Sequence, residues 1–502
     1  SVNGVGVNCN MNSFKEKMEM KIQRKPHIHM MDLYNEHYCY DVNTNAIFKI
    51  SDELAKYLRA VLDSKECDYE KLHLSSEAQD GLDYLLSQGL LQPLNDGVEI
   101  EHLETSALEN MYASNLKGII LQVTQNCNLR CKYCVYSGSY VNRQHNNKRM
   151  SLDTAKEVID FLWSHTSKSD NLSFGFYGGE PLLEFDLIKE IVSYINKKFV
   201  GKKHTFTITT NATLLGEEQI RFLAENDFQL VISLDGPAEI QNANRVFADG
   251  EHGTFETVMS NLRKVKEINE KYYSRISFNA VIDLNQNFSC ANDFFLSYDM
   301  VKNSGLTGNL VSNTNRKGDM NIKTQFYVDS LYELFKIYLY YANDKDFYSE
   351  YKPGLLDASV RSMRTGMYER FISKNLLSSK MTTGGQCLPG IQRFFVNVEG
   401  KFYPCERVNE NADSLCIGNV KQGFDIGKAS EILNVAQLTK NECKKCWCFN
   451  MCTQCVSMAE QDGELSATRR LSNCASVRNS IENEIKNYIV LRNHQARLRE
   501  EF

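Results

Sequence analysis

Residues 118–134 read GIILQVTQNCNLRCKYC, an apolar segment followed at once by three cysteines. The apolar part, residues 118–124, is rich in β-formers and predicts a buried strand. Cys127, Cys131 and Cys134 are separated by three and then two residues, so one loop carries all three thiols. Thiolates suit iron–sulfur chemistry. Three ligands leave one iron of a four-iron cluster free to bind an exogenous molecule.

Zinc is the alternative metal for this loop. A structural zinc site requires a fourth protein ligand in a closed tetrahedron. His145 is the nearest nitrogen ligand after Cys134, and no other residue in this stretch indicates such a site. The spacing therefore favours iron and sulfide.

Strand and helix patterns alternate around the loop from about residue 115 to residue 330. Strands are predicted at residues 118–124, 172–177, 205–210, 230–234, 276–281 and 308–312, and helices at 152–165, 187–198, 217–225 and 255–270. Repeated βα units indicate a parallel sheet with helices outside, either barrel-like or doubly wound. Functional residues are then expected at the carboxyl ends of the strands.

Polar and glycine residues follow several of these strands. Gly178-Gly179-Glu180-Pro181 ends the second strand, where glycines permit close approach to a ligand and a carboxylate can hold an ammonium. Asn211 follows the third strand and Ser233 lies at the end of the fourth. The alternatives are a simple turn for the glycines and a helix cap or turn for the other two. Arg245 could bind a carboxylate or be an ordinary surface arginine.

The cysteine spacing, together with the aromatic Tyr133 before the last cysteine, resembles the signature of the radical S-adenosylmethionine (SAM) enzymes. The resemblance implies a partial (β/α)6 TIM-like barrel, a SAM-binding [4Fe–4S] cluster on Cys127, Cys131 and Cys134, and an electron donor of flavodoxin or ferredoxin type. It also implies a 5′-deoxyadenosyl radical that takes a hydrogen atom from the substrate. The SAM contacts implied by this resemblance are Tyr133, Gly178, Gly179, Glu180, Asn211, Ser233 and Arg245.

A second cysteine-rich region occupies the C-terminal part of the chain. Nine of the 16 cysteines lie between Cys387 and Cys474, and a hairpin around Gly400 would bring Cys387 and Cys405 together. In a long chain without a secretory signal, clustered cysteines more often bind metal than form disulfides. Disulfides and a two-zinc ribbon are the alternatives.

Beside a radical domain, this pattern resembles the SPASM domain, which binds two auxiliary [4Fe–4S] clusters, so three clusters are expected in all. The resemblance assigns Cys387, Cys405 and Cys455 to the first auxiliary cluster, and Cys443, Cys446, Cys452 and Cys474 to the second. The gap between Cys452 and Cys455 is shorter than usual, and Cys416 and Cys448 are additional. The fourth ligand of the first cluster is therefore open between Cys416, Cys448 and a substrate thiolate. In related sulfatase-maturing enzymes an acidic residue in the position of Glu406 acts as a base; an exposed glutamate is the alternative.

The N-terminal residues 26–110 predict a small winged-helix-like α+β module. Strands are expected at residues 27–32, 37–42 and 46–50, and helices at 51–63, 68–74 and 77–89, with Ser51 as a cap. Its alternatives are DNA binding and mere packing. Next to a radical SAM barrel and a SPASM domain, this module resembles the recognition element of enzymes that modify ribosomally made peptides (the RiPP recognition element). That element binds a leader peptide along an edge strand.

Taken together, the resemblance covers nearly the whole chain and indicates a peptide maturase. The segment DVNTNAIF at residues 41–48 resembles maturases of cysteine-rich precursors, which join a cysteine sulfur to a carbon. Rival outcomes are formylglycine formation, a carbon–carbon crosslink, epimerisation, or a non-enzymatic iron–sulfur carrier or peptide-binding scaffold. The predicted regions are a 1–25 extension, the 26–110 recognition module, the 115–330 barrel, a 331–384 helical connector, the 385–480 iron–sulfur domain and a 481–502 helix.

Composition agrees with a folded enzyme of several domains. The 502 residues carry a net charge of −6, which argues against a broad nucleic-acid surface. No apolar run has the ~18–20 residues that a membrane helix requires. A secretory signal has a basic stretch followed by an apolar one, and no such segment follows Met11. We therefore expect a cytoplasmic protein without a secretory signal.

Overall fold

The structure, a computed structural model, describes residues 21–64, 73–137, 139–140, 143–250, 252–312, 316–318, 322–342, 351–372 and 379–493. Its contacts divide the chain into two units, Ser1–Gly97 with Ser373–Leu377, and Val98–Ile372 with Ser378–Phe502. Most of the extension predicted over residues 1–25 lies outside the described residues. None of the helices in the described part of the chain has the length and apolar character that crossing a bilayer requires.

The first unit contains a three-stranded antiparallel sheet and two helices. Its elements are β1 (Ile28–Leu33), β2 (Glu36–Asp41), β3 (Ala46–Ile50), α1 (Asp52–Asp63) and α2 (Ser76–Ser87). Strand β2 lies in the middle, so β1 and β3 are the edges. Ser51 caps α1 as predicted, because its side chain accepts the N–H of Leu54. Of the helix predicted at residues 68–74, residues 68–72 lie outside the described residues and 73–74 are not helical.

The second unit begins with β4 (Glu99–Ile100), which pairs with a strand near residue 380. Residues 98–110 of the predicted recognition module therefore pack within the larger unit. The elements from here to residue 310 are α3 (Leu108–Ser114), β5 (Gly118–Thr124), α4 (Leu152–Ser164), β6 (Asn171–Gly178), α5 (Phe185–Lys198), β7 (Lys203–Thr210), α6 (Glu217–Glu225), β8 (Gln229–Ser233), α7 (Ala238–Asn244), α8 (Phe255–Ile268), α9 (Glu270–Tyr273), β9 (Ser277–Ile282), α10 (Phe288–Ser297) and β10 (Gly305–Leu310).

Strands β5 to β10 form one parallel sheet in sequential order. A doubly wound sheet reverses its strand order at a switch point, so this alternative is wrong. The large parallel sheet and the mixed α/β class are confirmed. The last strand begins three residues and ends two residues earlier than predicted, because Gly305–Leu310 is the segment in register with Ser277–Ile282 of β9.

The remaining elements form the C-terminal part of the second unit. They are α11 (Thr324–Tyr341), α12 (Asp357–Ile372), β11 (Lys380–Met381), β12 (Phe394–Val396), β13 (Lys401–Tyr403), β14 (Gly418–Asn419), β15 (Gly423–Phe424), α13 (Ile426–Leu433), α14 (Lys440–Lys444), β16 (Glu460–Gln461), β17 (Glu464–Leu465), α15 (Ala467–Ser472) and α16 (Cys474–Asn493). Helix α11 spans residue 330, where the barrel was expected to end.

The C-terminal hairpin extends the parallel sheet. Strand β12 pairs in parallel with β5, and β13 pairs with β12, so ten strands form one continuous sheet from β10 to β15. Because β5 then has a neighbour on each side, all seven of its residues are buried. The cysteine loop follows β5 and Cys405 follows β13. One hydrogen-bonded sheet therefore fixes the separation between the two cysteine regions.

Candidate active site

The loop after β5 gathers its three thiols in a half-buried to buried position. Burial raises the pKa of Cys127 to about 12, and the Glu180 carboxylate and the two other thiols add to the rise. A turn from Cys131 O to Cys134 N, 3.0 Å apart, closes the loop. None of the cysteines in the described ranges forms a disulfide, which excludes the disulfide alternative for these clusters. The donor set of three neighbouring thiols fits an iron–sulfur cluster with one open iron.

The two glycines after β6 let the cysteine loop lie against the strand. A Cβ on Gly178 would lie 2.2 Å from the carbonyl oxygen of Thr124, and one on Gly179 would lie 2.1 Å from that of Asn126. These distances are shorter than any real contact, so a side chain at either position would displace the loop. The N–H of Glu180 donates to Asn126 O at 2.9 Å and holds the loop in place.

Glu180 is 1% exposed and holds three strand ends together. Its carboxylate accepts hydrogen bonds from Leu182 N (3.0 Å), Thr210 Oγ1 (2.7 Å) and Asn211 N (2.8 Å). Burial raises the pKa of Glu180, and these three hydrogen bonds oppose the rise. A carboxylate offers about four acceptor sites, so one site remains for a cation such as an ammonium.

Asn211 contacts the cysteine loop directly. Its Nδ2 donates to Asn128 Oδ1 at 2.9 Å and lies 3.9 Å from Cys127 Sγ. Its Oδ1 accepts the N–H of Thr213, so Asn211 also forms the local turn that was its alternative. Ser233 ends β8 opposite Asn279 on β9, and the next helix is capped by Pro237 instead.

A buried ion pair lies beside the second thiol of the loop. Arg245 Nε is 3.0 Å from Asp235 Oδ2, with side chains 8% and 1% exposed, so the surface alternative for Arg245 is wrong. The guanidinium lies 5.4 Å from the Tyr133 ring centre, and its Nη1 is 4.0 Å from Cys131 Sγ. Tyr133 donates its hydroxyl hydrogen to Asp235. Burial raises the pKa of Cys131 to about 11, and Arg245 opposes that rise.

His145, the only candidate nitrogen ligand for zinc here, stacks on Tyr136 with ring centres 5.5 Å apart. Among the residues with described positions, no three Cys, His, Asp or Glu side chains converge closely enough to hold a single metal ion. The zinc alternative for the loop thus has no fourth ligand in place.

The C-terminal cysteines fall into two sets. The first set is Cys387, Cys405 and Cys455: burial raises the pKa of Cys405 to about 11, and Glu406 and the other two thiols add to the rise. Cys416 lies instead against β14, with its Sγ 3.3 Å from Gly418 O. Cys448 is 1% exposed. The thiols of Cys387 and Cys455 thus act on the pKa of Cys405, and the assignment of these three residues to the first auxiliary cluster stays a prediction.

The second set predicted from the sequence is Cys443, Cys446, Cys452 and Cys474. Burial raises the pKa of Cys452, and the thiols of Cys443 and Cys446 add to the rise. Gln454 Nε2 donates to Cys474 Sγ at 3.5 Å.

Glu406 directly follows Cys405 in the chain. Its side chain is 17% exposed, so the alternative of an exposed glutamate is wrong. Oε1 lies 3.5 Å from Arg393 Nη2, while Oε2 has no hydrogen-bond partner among the described residues. Burial raises the pKa of Tyr177 on β6, and the charge of Glu406 and the thiol of Cys134 add to the rise. The charge of Glu406 therefore acts on Tyr177, in the second strand of the parallel sheet.

Sequence reasoning missed a buried polar network between these regions. Arg143 Nη2 donates to the carbonyl oxygens of Glu406 (2.9 Å) and Val408 (3.1 Å), and its Nε lies 3.2 Å from Glu410 Oε1. Gln122 on β5 donates to Glu410 and to Tyr136. No local signal could have found it, because Arg143 and Val408 are 265 residues apart in sequence.

Comparison with known proteins agrees with this geometry. Residues 121–294 match the family model of the radical SAM superfamily. This region is similar to the domains of that superfamily. The match supports SAM and one iron–sulfur cluster as cofactors of the matched region.

Curated relatives extend the similarity beyond the radical SAM domain. The chain is 27% identical over 382 residues to a cysteine-type anaerobic sulfatase-maturating enzyme of Clostridium perfringens, covering 72% of this chain and 95% of the relative. It is 39% identical over 143 residues to an uncharacterized protein of Methanocaldococcus jannaschii, covering 28% of this chain and 46% of that relative.

Among solved structures, native anSMEcpe with bound AdoMet and Cp18Cys peptide covers 74% of this chain and 99% of its own. The TM-score is 0.53 at 22% sequence identity, a similarity of fold. Residues 121–294 are therefore similar to the radical SAM superfamily, and the chain as a whole is similar to a sulfatase-maturating enzyme.

Proposed function

We propose that this protein is a radical SAM peptide maturase that forms a thioether between a cysteine sulfur and a carbon of a ribosomally made precursor peptide. The observation that carries the proposal is the position of Glu406. It lies next to Cys405 of the first C-terminal set and within electrostatic reach of Tyr177, which also feels Cys134 of the barrel loop. A substrate at the end of β6 would meet both cysteine regions at once.

The chain's own residues hold the small molecule in this proposal. The loop thiols of Cys127, Cys131 and Cys134 hold the cluster, and the fourth acceptor site of Glu180 takes the methionine ammonium. Arg245 uses Nε for Asp235 and retains other N–H groups of its guanidinium for the methionine carboxylate. The remaining contacts with SAM would be made by Tyr133, Gly178, Gly179, Asn211 and Ser233. When bound, SAM and the cluster supply the carbon radical that removes a hydrogen atom from the substrate.

Forming the sulfur–carbon bond then leaves one proton and one electron. Glu406 is placed to accept the proton of the substrate thiol, since its Oε2 has no other partner among the described residues. The electron requires an acceptor of iron–sulfur type, for which the C-terminal cysteine sets provide ligands in a SPASM-like arrangement. The three thiols of the first set leave room for a substrate thiolate as fourth ligand. An external donor of flavodoxin or ferredoxin type completes the redox cycle.

The first unit would bind the leader of the precursor as a RiPP recognition element. Its winged-helix-like sheet has an edge strand, β3, followed directly by α1, and an extended peptide can add to such an edge through main-chain hydrogen bonds. The net charge of −6 favours a peptide over DNA. Because the contacts divide the chain after Gly97, the deletion that tests this role should end there. We expect it to weaken leader binding in a titration while SAM cleavage persists.

Oxidation of a peptide cysteine to formylglycine is the second candidate, favoured by the similarity to sulfatase-maturating enzymes. The two reactions differ in the fate of sulfur: a thioether retains it and loses two hydrogens per link, whereas formylglycine formation removes it. Mass spectrometry of a genomically adjacent cysteine-rich peptide, after incubation with anaerobically reconstituted protein, SAM and reductant, separates them. A peptide left unchanged while 5′-deoxyadenosine forms would contradict both, and absence of 5′-deoxyadenosine would contradict the radical mechanism itself.

A further inference from the structure

Arg470 is the largest fully buried side chain in the described part of the chain. It lies on α15 and is 1% exposed. A buried guanidinium remains charged, because arginine is not deprotonated in proteins. Enclosing such a charge is strongly unfavourable unless an anion lies beside it.

Among the residues whose positions are described, no carboxylate provides that anion. Arg470 Nε and Nη2 donate to the hydroxyl oxygens of Thr439 and Thr383, each at 3.3 Å. Nη1 has no hydrogen-bond partner among the described residues, and none of the ion pairs they form includes Arg470. Two neutral hydroxyls orient the guanidinium but do not neutralise it.

A thiol of the second C-terminal set lies near this charge instead. Thr439 Oγ1, which accepts from Arg470, is also 3.2 Å from Cys443 Sγ. Cys474 Sγ lies 3.9 Å from the main-chain carbonyl oxygen of Arg470. The Thr439 hydroxyl therefore links the guanidinium to the thiol of Cys443.

The first C-terminal set has a carboxylate beside it instead, because Glu406 follows Cys405 directly in the chain and its side chain is 17% exposed. Arg470 thus places a positive charge near the second set, and Glu406 a negative charge near the first.

We propose that Arg470 is the counter-ion of an anionic iron–sulfur centre held by Cys443, Cys446, Cys452 and Cys474, and that it makes this centre easier to reduce. The identity of the centre rests on the proposed function. Reduction adds one negative charge to a thiolate-bound cluster, and a buried cation nearby stabilises the reduced state. The centre beside Glu406 would be harder to reduce, so an electron released near Glu406 would pass to the centre beside Arg470.

Potentiometric titration monitored by electron paramagnetic resonance tests this assignment. The full chain is reconstituted anaerobically with Cys127, Cys131 and Cys134 replaced by alanine, which removes the signal of the barrel loop. In this background we compare R470M, which removes the charge, with R470K, which keeps it. The neighbouring R469M is the matched control on the same helix.

In R470M the ratio of reduced to oxidised centre at a given potential should fall about tenfold for one of the two C-terminal signals. This equals a potential about 59 mV more negative. R470K and R469M should retain the original value. Loss of iron in R470M alone would also support the proposal, since the charge would then be needed to hold the centre.

Three results would overturn the proposal: equal potentials in R470M and the parent, loss of iron in R470K as well as R470M, or zinc in place of iron at this set. The first would mean that the charge does not act on the centre. The second would mean that arginine serves the fold itself. Because the titration needs neither SAM cleavage nor a peptide, a failure of the thioether reaction would leave this result interpretable.

Discussion

The loop after β5 and the C-terminal cysteine region hold their thiols in different ways. The loop takes three thiols from eight consecutive residues, Cys127–Cys134, and packs them against the glycines that end β6. The C-terminal region collects its thiols from Cys387 to Cys474 by means of a hairpin and several short helices. The buried cation of the loop, Arg245, is paired with Asp235, whereas Arg470 has no carboxylate partner among the described residues.

The two regions differ in how far their structure is balanced before iron is bound. The loop is braced by its own backbone bonds and by a neutral ion pair, so its geometry does not depend on a cluster. The C-terminal region encloses an uncompensated positive charge, and its balance depends on an anionic centre. We infer that the loop is preorganised for SAM chemistry and that the C-terminal region is completed by its own cofactors.

The largest expected effect separates the roles of the two regions. Cys127→Ala should abolish SAM cleavage, because the cluster that binds SAM loses one of only three ligands. Cys443→Ala should leave uncoupled cleavage but yield no modified peptide. Chromatography of 5′-deoxyadenosine and mass spectrometry of the peptide measure both quantities. Equal loss of cleavage in the two variants would mean that the C-terminal region is needed for folding. It would contradict the assignment of SAM cleavage to the loop and of peptide modification to the C-terminal region.

A smaller but more local effect is expected from Gly179→Ala. The new Cβ would lie 2.1 Å from Asn126 O, so the cysteine loop must move and should lose its iron while the C-terminal iron remains. Iron analysis of the purified protein, alone and in a Cys443→Ala background, measures the loss. Gly366→Ala in α12 is the control, since its Cβ would meet no atom within 4 Å. Full iron content in Gly179→Ala would show that the glycine contact is not needed.

The third prediction concerns the ion pair that joins the two regions. Glu410→Ala leaves Arg143 as an unpaired buried charge, since the two side chains are only 5% and 2% exposed. The free energy of unfolding should fall by about 3–5 kcal/mol, as measured by urea denaturation of the full chain. Glu399→Ala is the matched control, because its partner Lys148 is 59% exposed and such pairs contribute about 0–1 kcal/mol. Similar losses in both variants would contradict the bridging role of Arg143.

Local patterns were enough to predict most strands of the parallel sheet and the position of the loop. The apolar run of residues 118–124 predicted β5 to the residue, and the glycine and polar residues predicted the strand ends. These features depend on neighbours in sequence, so periodicity and turn chemistry identify them. Asn211 illustrates the limit, since it forms the expected turn and also contacts Asn128 across the site.

By itself, the sequence determined the alternation of strands and helices and the thiol-bearing loop, because both are set by residues within a few positions of each other. Only the tertiary structure decided the pairing of β12 with β5, the burial of Arg245, Glu406 and Arg470, and the Arg143 bridge. Each of these joins segments far apart in sequence. Burial and charge balance depend on which distant groups share a low-dielectric space, and no local pattern records that.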